Sequence, residues 1–118
     1  MKRIGEGSPC SSKSDVTGEL VYIKVIEDVI KLFDKAAGKI CLVDDAGITT
    51  LSPILPELSG IICTTGSGGS HLAIVSREFG LPCIMATKFF VDDVSSLNGK
   101  KVKIVHEGDY KGVLYLNE

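Results

Sequence analysis

Residues 60–86 read GIICTTGSGGSHLAIVSREFGLPCIMA. The segment opens with an apolar run and then places three glycines, Gly66, Gly68 and Gly69, within four positions. His71 follows these glycines directly and begins an amphipathic stretch. Glycine lets a backbone bend tightly, and the amphipathic stretch has helical spacing. This order predicts a strand, a glycine-rich loop and a helix, and it determines how the rest of the chain is interpreted.

The helix is predicted over 71–79, because start, face and stop signals agree. Ser70 is a suitable N-cap, Gly80 is a suitable residue just beyond the C-terminus, and Pro82 prevents continuation. The predicted buried stripe consists of Leu72, Val75 and Phe79. The residues expected to lie mostly off that stripe are Ser76, Arg77 and Glu78.

The chemistry of the chain is predicted to lie in the loop and in His71. Loop amides and the positive end of a helix together attract anions, most often phosphate. The same field disfavours imidazolium, so we expect a neutral, nucleophilic His71 that could accept a phosphoryl group. The predicted phosphate-binding residues are Gly66, Ser67, Gly68, Gly69 and Ser70.

Other interpretations of the loop remain open. A glycine-rich turn before a helix is common, and a histidine beside it is often a cap or a solvent-facing residue. A Walker loop is excluded because no lysine follows the glycines at the required place, and GSGGSH does not fit G-x-G-x-x-G. Ser70 and His71 are chain neighbours without a G-x-S-x-G elbow, which argues against a serine hydrolase.

Short strands and turns are predicted for the remainder of the chain. The predicted strands are 19–26, 39–43, 60–64, 82–86, 101–105 and 112–116. The second and third are almost continuously apolar, which predicts burial on both faces, and the last two flank a polar turn and predict an antiparallel hairpin. Short helices are predicted over 27–37 and around 49–58, where two prolines limit the second. The first fifteen residues are predicted to be a polar lead-in, and the whole to be an α/β domain with a mixed sheet.

Length and composition limit the class of protein. The chain has 118 residues, enough for one domain, with 13 basic and 15 acidic residues and 44% hydrophobic residues. This balance excludes intrinsic disorder and argues against a nucleic-acid-binding surface. The N-terminus lacks an apolar signal segment, and apolar runs are far shorter than the ~20 residues of a membrane span. We therefore expect a cytoplasmic protein without membrane or nucleic-acid partners.

Four cysteines, Cys10, Cys41, Cys63 and Cys83, are present without CxxC spacing. Three of them lie inside apolar segments, where cysteine behaves as a small buried hydrophobic residue. We expect free buried thiols rather than a disulfide or a metal site.

The same sequence resembles the phosphohistidine swivelling domain of phosphoenolpyruvate-utilising enzymes, a family that includes pyruvate phosphate dikinase, phosphoenolpyruvate synthase and enzyme I of the sugar phosphotransferase system. Its pattern is similar to G-I-V-T-x-x-G-G-x-T-S-H-A-A-I-V-A-R-E-x-G-I-P-A-V-V-G. The matching positions are Gly60, Ile61, Gly66, Ser70, His71, Ala73, Ile74, Val75, Arg77, Glu78, Gly80 and Pro82. Gly7-Ser8-Pro9, Gly18 and the terminal LNGKKVKIVHEGDYKGVLYL extend the resemblance over nearly the whole chain. It implies a single compact swivelling β/β/α domain over 1–118.

Departures from the family pattern bear on function. Ser67 replaces a usual glycine, and Gly69 replaces a usual threonine that is expected to hydrogen-bond the phosphoryl group or orient the ring. Ser67 or Ser70 could supply a replacement hydroxyl. The remaining departures are Cys10 and Ala86 for glycines, Leu72 for alanine and His106 for aspartate. His71 itself is retained.

The resemblance implies a phosphoryl carrier in which His71 is the catalytic residue and Arg77 a supporting one. It implies separate partner subunits, a nucleotide-binding one of ATP-grasp type and one that binds phosphoenolpyruvate or another acceptor. Magnesium and ATP or phosphoenolpyruvate would then bind to the partners, and this stand-alone chain would be an incomplete component of a phosphotransferase. The alternatives are a non-catalytic swivel-fold regulatory or binding module and a free-standing phosphate-binding protein.

Weaker candidates have simpler explanations. Arg77 is interpreted as a structural salt-bridge residue more readily than as a phosphoryl contact, since it lies six residues after His71. His106 is expected in an exposed turn. The adjacent pairs Asp44-Asp45 and Asp92-Asp93 are interpreted as caps and turns rather than metal ligands.

Overall fold

The alternation of apolar residues along the chain produces seven strands and two α-helices in the part that the structure describes. This computed structural model describes residues 2–9, 15–44, 54–65, 71–107 and 111–117. The strands are β1 Lys2–Pro9, β2 Val16–Tyr22, β3 Lys39–Val43, β4 Gly60–Cys63, β5 Cys83–Phe89, β6 Lys101–His106 and β7 Gly112–Leu116. The helices are α1 Ile26–Ile30 and α2 His71–Glu78, with 3₁₀ turns at Leu55–Glu57 and Val94–Leu97.

The strands close into a barrel in the order β1-β5-β4-β3-β2-β6-β7, and β7 returns to pair with β1. Neighbours from β2 through β3 and β4 to β5 are parallel. The other pairs are antiparallel, including the predicted β6–β7 hairpin. The prediction of a mixed sheet is therefore confirmed, although strands outweigh the few short helices.

Apolar residues of the central strands face two different layers. Alternate residues such as Ile40, Leu42 and Ile62 belong to a cluster shared with the other strands of the barrel. Residues between them, such as Cys41 and Cys63, belong to a second cluster with residues of α1, α2 and the first 3₁₀ turn. Both faces of β3 and β4 are consequently buried, as their continuous apolar runs predicted.

The predicted strands agree with the structure except at the start of the chain. The bounds of β3 and β7 match the prediction, whereas the strand predicted over 19–26 lies at 16–22. The predicted polar lead-in was wrong, because residues 2–9 form β1, which closes the barrel between β5 and β7. Ile4 supplies the apolar contact of β1 with the core, and backbone hydrogen bonds to two neighbours stabilise the rest.

The two minor helices are shorter than predicted. α1 ends at Ile30 and continues as turns to residue 35, rather than running over 27–37. In the helix predicted around 49–58, residues Leu55–Glu57 form one 3₁₀ turn, and residues 49–53 lie outside the described part of the chain. A proline in the first turn is compatible with such a short element.

The helix α2 ends as predicted but buries a different face. Gly80 has a φ of 67°, and the N–H groups of Gly80 and Leu81 donate to the carbonyls of Arg77 and Ser76, the paired bonds of a Schellman motif. Phe79 was predicted to be buried and is half exposed, whereas Ser76 is buried. The Ser76 hydroxyl donates to the Leu72 carbonyl at 2.7 Å, which satisfies the polar group in the core.

Three of the cysteines are buried thiols outside any disulfide, as predicted: Cys41, Cys63 and Cys83. Burial raises the pKa of the Cys41 thiol to about 12. Cys10 lies outside the described residues. The prediction for His106 was wrong, because this residue ends β6 and both its ring nitrogens are buried without a hydrogen-bond partner among the described residues.

The pairing of β1 with β5 is interrupted by a β-bulge at Ala86. Glu6 pairs with Lys88, but Ser8 pairs with Met85, so β5 carries one extra residue between these pairs. Ala86 has a φ of 51°, the left-handed region in which glycine is favoured. This conformation explains why the family pattern usually has glycine where this chain has alanine.

Replacing Ala86 with glycine should therefore stabilise the fold. Relief of the left-handed strain outweighs the greater freedom of glycine in the unfolded chain, with an expected net gain of about 0.5–1 kcal/mol. Chemical denaturation measures the free energy of unfolding. As a control of opposite sign, Ala73→Gly within α2 should cost about 1 kcal/mol or more. Destabilisation by Ala86→Gly would contradict the strained conformation.

Gly7 allows the close approach of β1 to β5. A Cβ atom there would lie 2.6 Å from the Met85 carbonyl oxygen and 2.7 Å from Ile84 Cγ2. Gly7→Ala should therefore cost about 2 kcal/mol of unfolding free energy through overpacking. The neighbouring exposed residue provides the control, since Ser8→Ala should change stability by less than about 0.5 kcal/mol. Equal effects of the two substitutions in denaturant titrations would contradict the close packing.

Candidate functional site

The carboxyl ends of the parallel strands form the edge at which the candidate site is built. In parallel sheets, whether open or closed into a barrel, ligands commonly bind at the carboxyl ends of the strands. Val43 of β3 pairs with Cys63 of β4, so the residues that follow these two strands emerge side by side. They are Asp44 after β3, and Thr64 and Thr65 after β4.

Asp44 accepts hydrogen bonds from two neighbouring strands. Its Oδ2 accepts the hydroxyl of Tyr22 at 2.6 Å, and its Oδ1 accepts the hydroxyl of Thr64 at 2.8 Å. Its main-chain carbonyl accepts the hydroxyl of Thr65 at 2.7 Å. We call these four residues the Asp44 cluster. Hydrogen bonds to an ionised carboxylate are stronger than neutral ones, so the cluster joins the ends of β2, β3 and β4 firmly.

Tyr22 is held on two sides in addition to its bond with Asp44. The hydrogen bond to the Asp44 carboxylate, together with partial burial, raises the pKa of Tyr22 to about 12. The phenol therefore remains protonated and donates its hydrogen bond throughout the neutral pH range. The Lys24 ammonium lies 4.9 Å from the centre of the ring, and the Tyr22 N–H donates to Asn98 Oδ1 at 2.9 Å.

Thr65 is fixed through its side chain and through its backbone. While its hydroxyl donates to Asp44, its carbonyl accepts the N–H of Ala86 at 3.1 Å. The bulge in β5 thus presents a backbone donor to the last described residue before the glycine loop. The preceding Thr64 N–H donates to the Val43 carbonyl at 3.1 Å. The chain therefore enters the loop from a position fixed by three strands.

His71 is the first residue of α2, and β4 ends at Cys63. The predicted strand before the glycines and the predicted helix that begins at His71 are therefore confirmed. The predicted phosphate-binding residues Gly66, Ser67, Gly68, Gly69 and Ser70 lie outside the described residues. Arg77 lies in the last turn of α2, at the opposite end of the helix from His71, and its side chain is exposed.

The backbone arrangement is suited to an anion beside His71. The helix α2 has eight residues, and its first N–H groups lack partners within the helix. The partial positive charge at this end favours a negatively charged group near the first turn. His106 ends β6, and its N–H donates to Asp15, which directly precedes β2. The second histidine thus lies at the other end of β2 from Tyr22.

Sequence reasoning missed the Asp44 cluster. It interpreted Asp44 as a cap or turn residue, whereas Asp93 does cap the 3₁₀ turn that begins at Val94. A usable signal existed, because Asp44 directly follows one of the two predicted strands that are buried on both faces, and Thr64 is the polar last residue of the other. Parallel strands of this kind bring their following residues to one edge.

Neither a metal cluster nor a membrane helix is found in the described ranges. No group of three or more histidine, cysteine, aspartate or glutamate side chains there could hold a metal ion. No helix among the described residues is long and apolar enough to cross a membrane.

Two solved structures have the same fold at low sequence identity. An MccF-like protein from Bacillus anthracis matches with a TM-score of 0.55 and 12% identity over 96% of this chain and 43% of that one. A muramoyltetrapeptide carboxypeptidase from Oxalobacter formigenes matches with a TM-score of 0.52 and 11% identity, over 99% of this chain and 51% of that one. At these identities the similarity concerns the fold alone.

Sequence comparison identifies relatives with much longer chains. A probable phosphoenolpyruvate synthase from Methanothermobacter thermautotrophicus is 33% identical over 91 residues, which are 73% of this chain and 13% of that protein. A phosphoenolpyruvate synthase from Pyrococcus furiosus is 34% identical over 65 residues, which are 51% of this chain and 8% of that protein. This chain therefore spans about one eighth or less of each of these relatives.

A family model described as "PEP-utilising enzyme, mobile domain" matches residues 36–105. The matched region contains β3, β4, the glycine loop, His71 with α2, and β5. The match confirms the resemblance noted in the sequence, and it covers more than half of the chain. The chain belongs to the family of mobile domains of phosphoenolpyruvate-utilising enzymes.

Proposed function

We propose that this chain is a phosphoryl carrier, in which an imidazole nitrogen of His71 accepts a phosphoryl group at one partner site and releases it at another. The observation that carries the proposal is the position of His71 at the start of α2, within the segment that matches the mobile-domain family. A carrier histidine needs a nearby stabiliser of negative charge, and the end of this helix supplies one.

Each residue of the site has a distinct role in this proposal. His71 is the nucleophile, and the backbone N–H groups of Gly66–Ser70 bind the phosphoryl oxygens. Arg77 is assigned a supporting role in which its charge acts from a distance, because this residue lies in the last turn of α2. Electrostatic stabilisation by such oriented donors is the main contribution a protein makes to phosphoryl transfer.

The transfer step is a displacement at phosphorus. The unprotonated imidazole nitrogen forms a nitrogen–phosphorus bond while the donor's oxygen–phosphorus bond breaks, and the leaving oxygen keeps the electron pair. The imidazole then loses its ring proton to solvent. In the second step the acceptor oxygen attacks phosphorus, the nitrogen–phosphorus bond breaks, and the imidazole recovers a proton.

The donor and acceptor sites belong to other domains or subunits in this proposal. The relatives named phosphoenolpyruvate synthase are far longer than the segment they share with this chain. We assign to partners a nucleotide-binding site of ATP-grasp type and a site for phosphoenolpyruvate, pyruvate or another acceptor. Magnesium would bind there with the phosphates, and this swivelling β/β/α domain would move between the two sites.

A second candidate function is a regulatory or binding module that retains the anion loop without turnover. Gly69 favours it, because the family pattern usually has threonine at this position. A module of this kind would bind anions reversibly and would form no covalent bond to phosphorus.

The carrier is tested by incubating the protein with extract of the cells that produce it, supplied with ATP or with phosphoenolpyruvate. We expect the intact mass to increase by one phosphoryl group, and acid to remove that group, because nitrogen–phosphorus bonds to imidazole are acid-labile. His71→Ala should abolish the uptake. His106→Gln, which removes the chain's other imidazole, should retain it.

The donor that labels the protein identifies the direction of transfer. Uptake by the His71→Ala variant, or uptake lost in His106→Gln alone, would contradict the proposal. Reversible anion binding by a folded protein that neither donor labels would favour the non-catalytic module.

A further inference from the structure

Residues 66–70 connect Thr65 to His71 and lie outside the described part of the chain. Five residues separate Thr65 from His71, and three of them are glycines, whose backbone is the least restricted. The chain that sets where this segment begins and ends lies on either side of it. On one side this is the first turn of α2, and on the other it is the Asp44 cluster.

We propose that Asp44 and Thr65 are positioning residues for phosphoryl uptake by His71, an inference that rests on the proposed carrier function. Thr65 is the last described residue before the loop, and its hydroxyl donates to the Asp44 carbonyl at 2.7 Å. The Ala86 N–H holds the carbonyl of the same residue at 3.1 Å. The side chain and the carbonyl of Thr65 are thereby both held, six residues before His71 in the sequence.

The Asp44 side chain stabilises the position of the Asp44 carbonyl to which Thr65 donates. Each carboxylate oxygen accepts one hydroxyl, from Tyr22 at 2.6 Å and from Thr64 at 2.8 Å. Because Tyr22 belongs to β2 and Thr64 follows β4, loss of the carboxylate would release contacts to both neighbouring strands. The backbone of Asp44, and with it the carbonyl that binds Thr65, would then be less restricted.

This arrangement affects rate because phosphoryl transfer needs a well-placed nucleophile. A misplacement of about 1 Å at a reacting group can cost on the order of a hundredfold in rate. Residues that hold a catalytic group through a supporting hydrogen bond control this placement. A cluster that served only stability would leave the rate of the folded protein unchanged, and this difference separates the two explanations.

The experiment measures phosphoryl uptake from potassium phosphoramidate, a small donor that does not require a partner domain. In this reaction an imidazole nitrogen forms a bond to phosphorus, the phosphorus–nitrogen bond of the donor breaks, and ammonia leaves with the released proton. Uptake is followed by intact mass at saturating donor, well below the unfolding temperature of each variant. The full chain is used throughout.

Two pairs of variants distinguish loss of a hydrogen bond from a change in the size of the side chain. Thr65→Val removes the hydroxyl at an exposed site, where unfolding is not expected, and Thr65→Ser retains it. Asp44→Ala removes both carboxylate contacts, whereas Asp44→Asn retains a side chain that can bond to Tyr22 and Thr64. Thr17→Val, at an exposed position in β2, is the control for loss of a threonine hydroxyl.

We expect Thr65→Val and Asp44→Ala to slow maximal uptake by about tenfold or more. Thr65→Ser, Asp44→Asn and Thr17→Val should remain close to the wild-type rate. If Thr65→Val takes up phosphoryl as fast as Thr65→Ser, the positioning role is overturned while the carrier function stands. If neither phosphoramidate nor the cell extract labels wild-type His71, the proposed function fails and this inference fails with it.

Discussion

Parallel pairing of β3 with β4 and of β4 with β5 is the constraint on which the rest of the structure depends. It brings the residues after three strands to one edge, and it buries both faces of the central strands under separate apolar layers. Thr64 and Thr65 follow β4 at this edge, and α2 begins at His71, six residues after Thr65. Hydrogen bonds from Ala86 to Thr65 and from Thr65 to Asp44 then link the same edge across the sheet.

Local sequence patterns were sufficient to predict the central strands, the β6–β7 hairpin and the end of α2. Continuous apolar runs identified β3 and β4, and Gly80 marked the helix end that the structure confirms. β1 was missed because its stability comes from backbone pairing with two strands more than seventy residues away, and its sequence contains few apolar residues. Phe79 and Ser76 were misassigned because tertiary contacts decide which face of α2 is buried, and local periodicity does not specify those contacts.

The candidate site was partly predictable for a similar reason. The loop and His71 are contiguous in sequence, so a local pattern was enough to predict an anion-binding loop beside a histidine. The Asp44 cluster joins residues that lie 20 to 22 positions apart. Neither Tyr22 nor Asp44 has a recognisable motif of its own. The conformation of Ala86 was also not predictable from local sequence. Its left-handed backbone results from the bulge opposite β1, and the only sequence signal for it is the glycine that the family pattern usually has at this position.

The central claim is that His71 carries phosphorus on a ring nitrogen, and nuclear magnetic resonance tests it most directly. Protein containing ¹⁵N-labelled histidine would be phosphorylated by its donor and examined for coupling between phosphorus and nitrogen. We predict one phosphorus signal coupled to a ring nitrogen of His71 and lost in acid. An acid-stable phosphorus signal without nitrogen coupling, as expected for an ester on Ser67 or Ser70, would contradict this account.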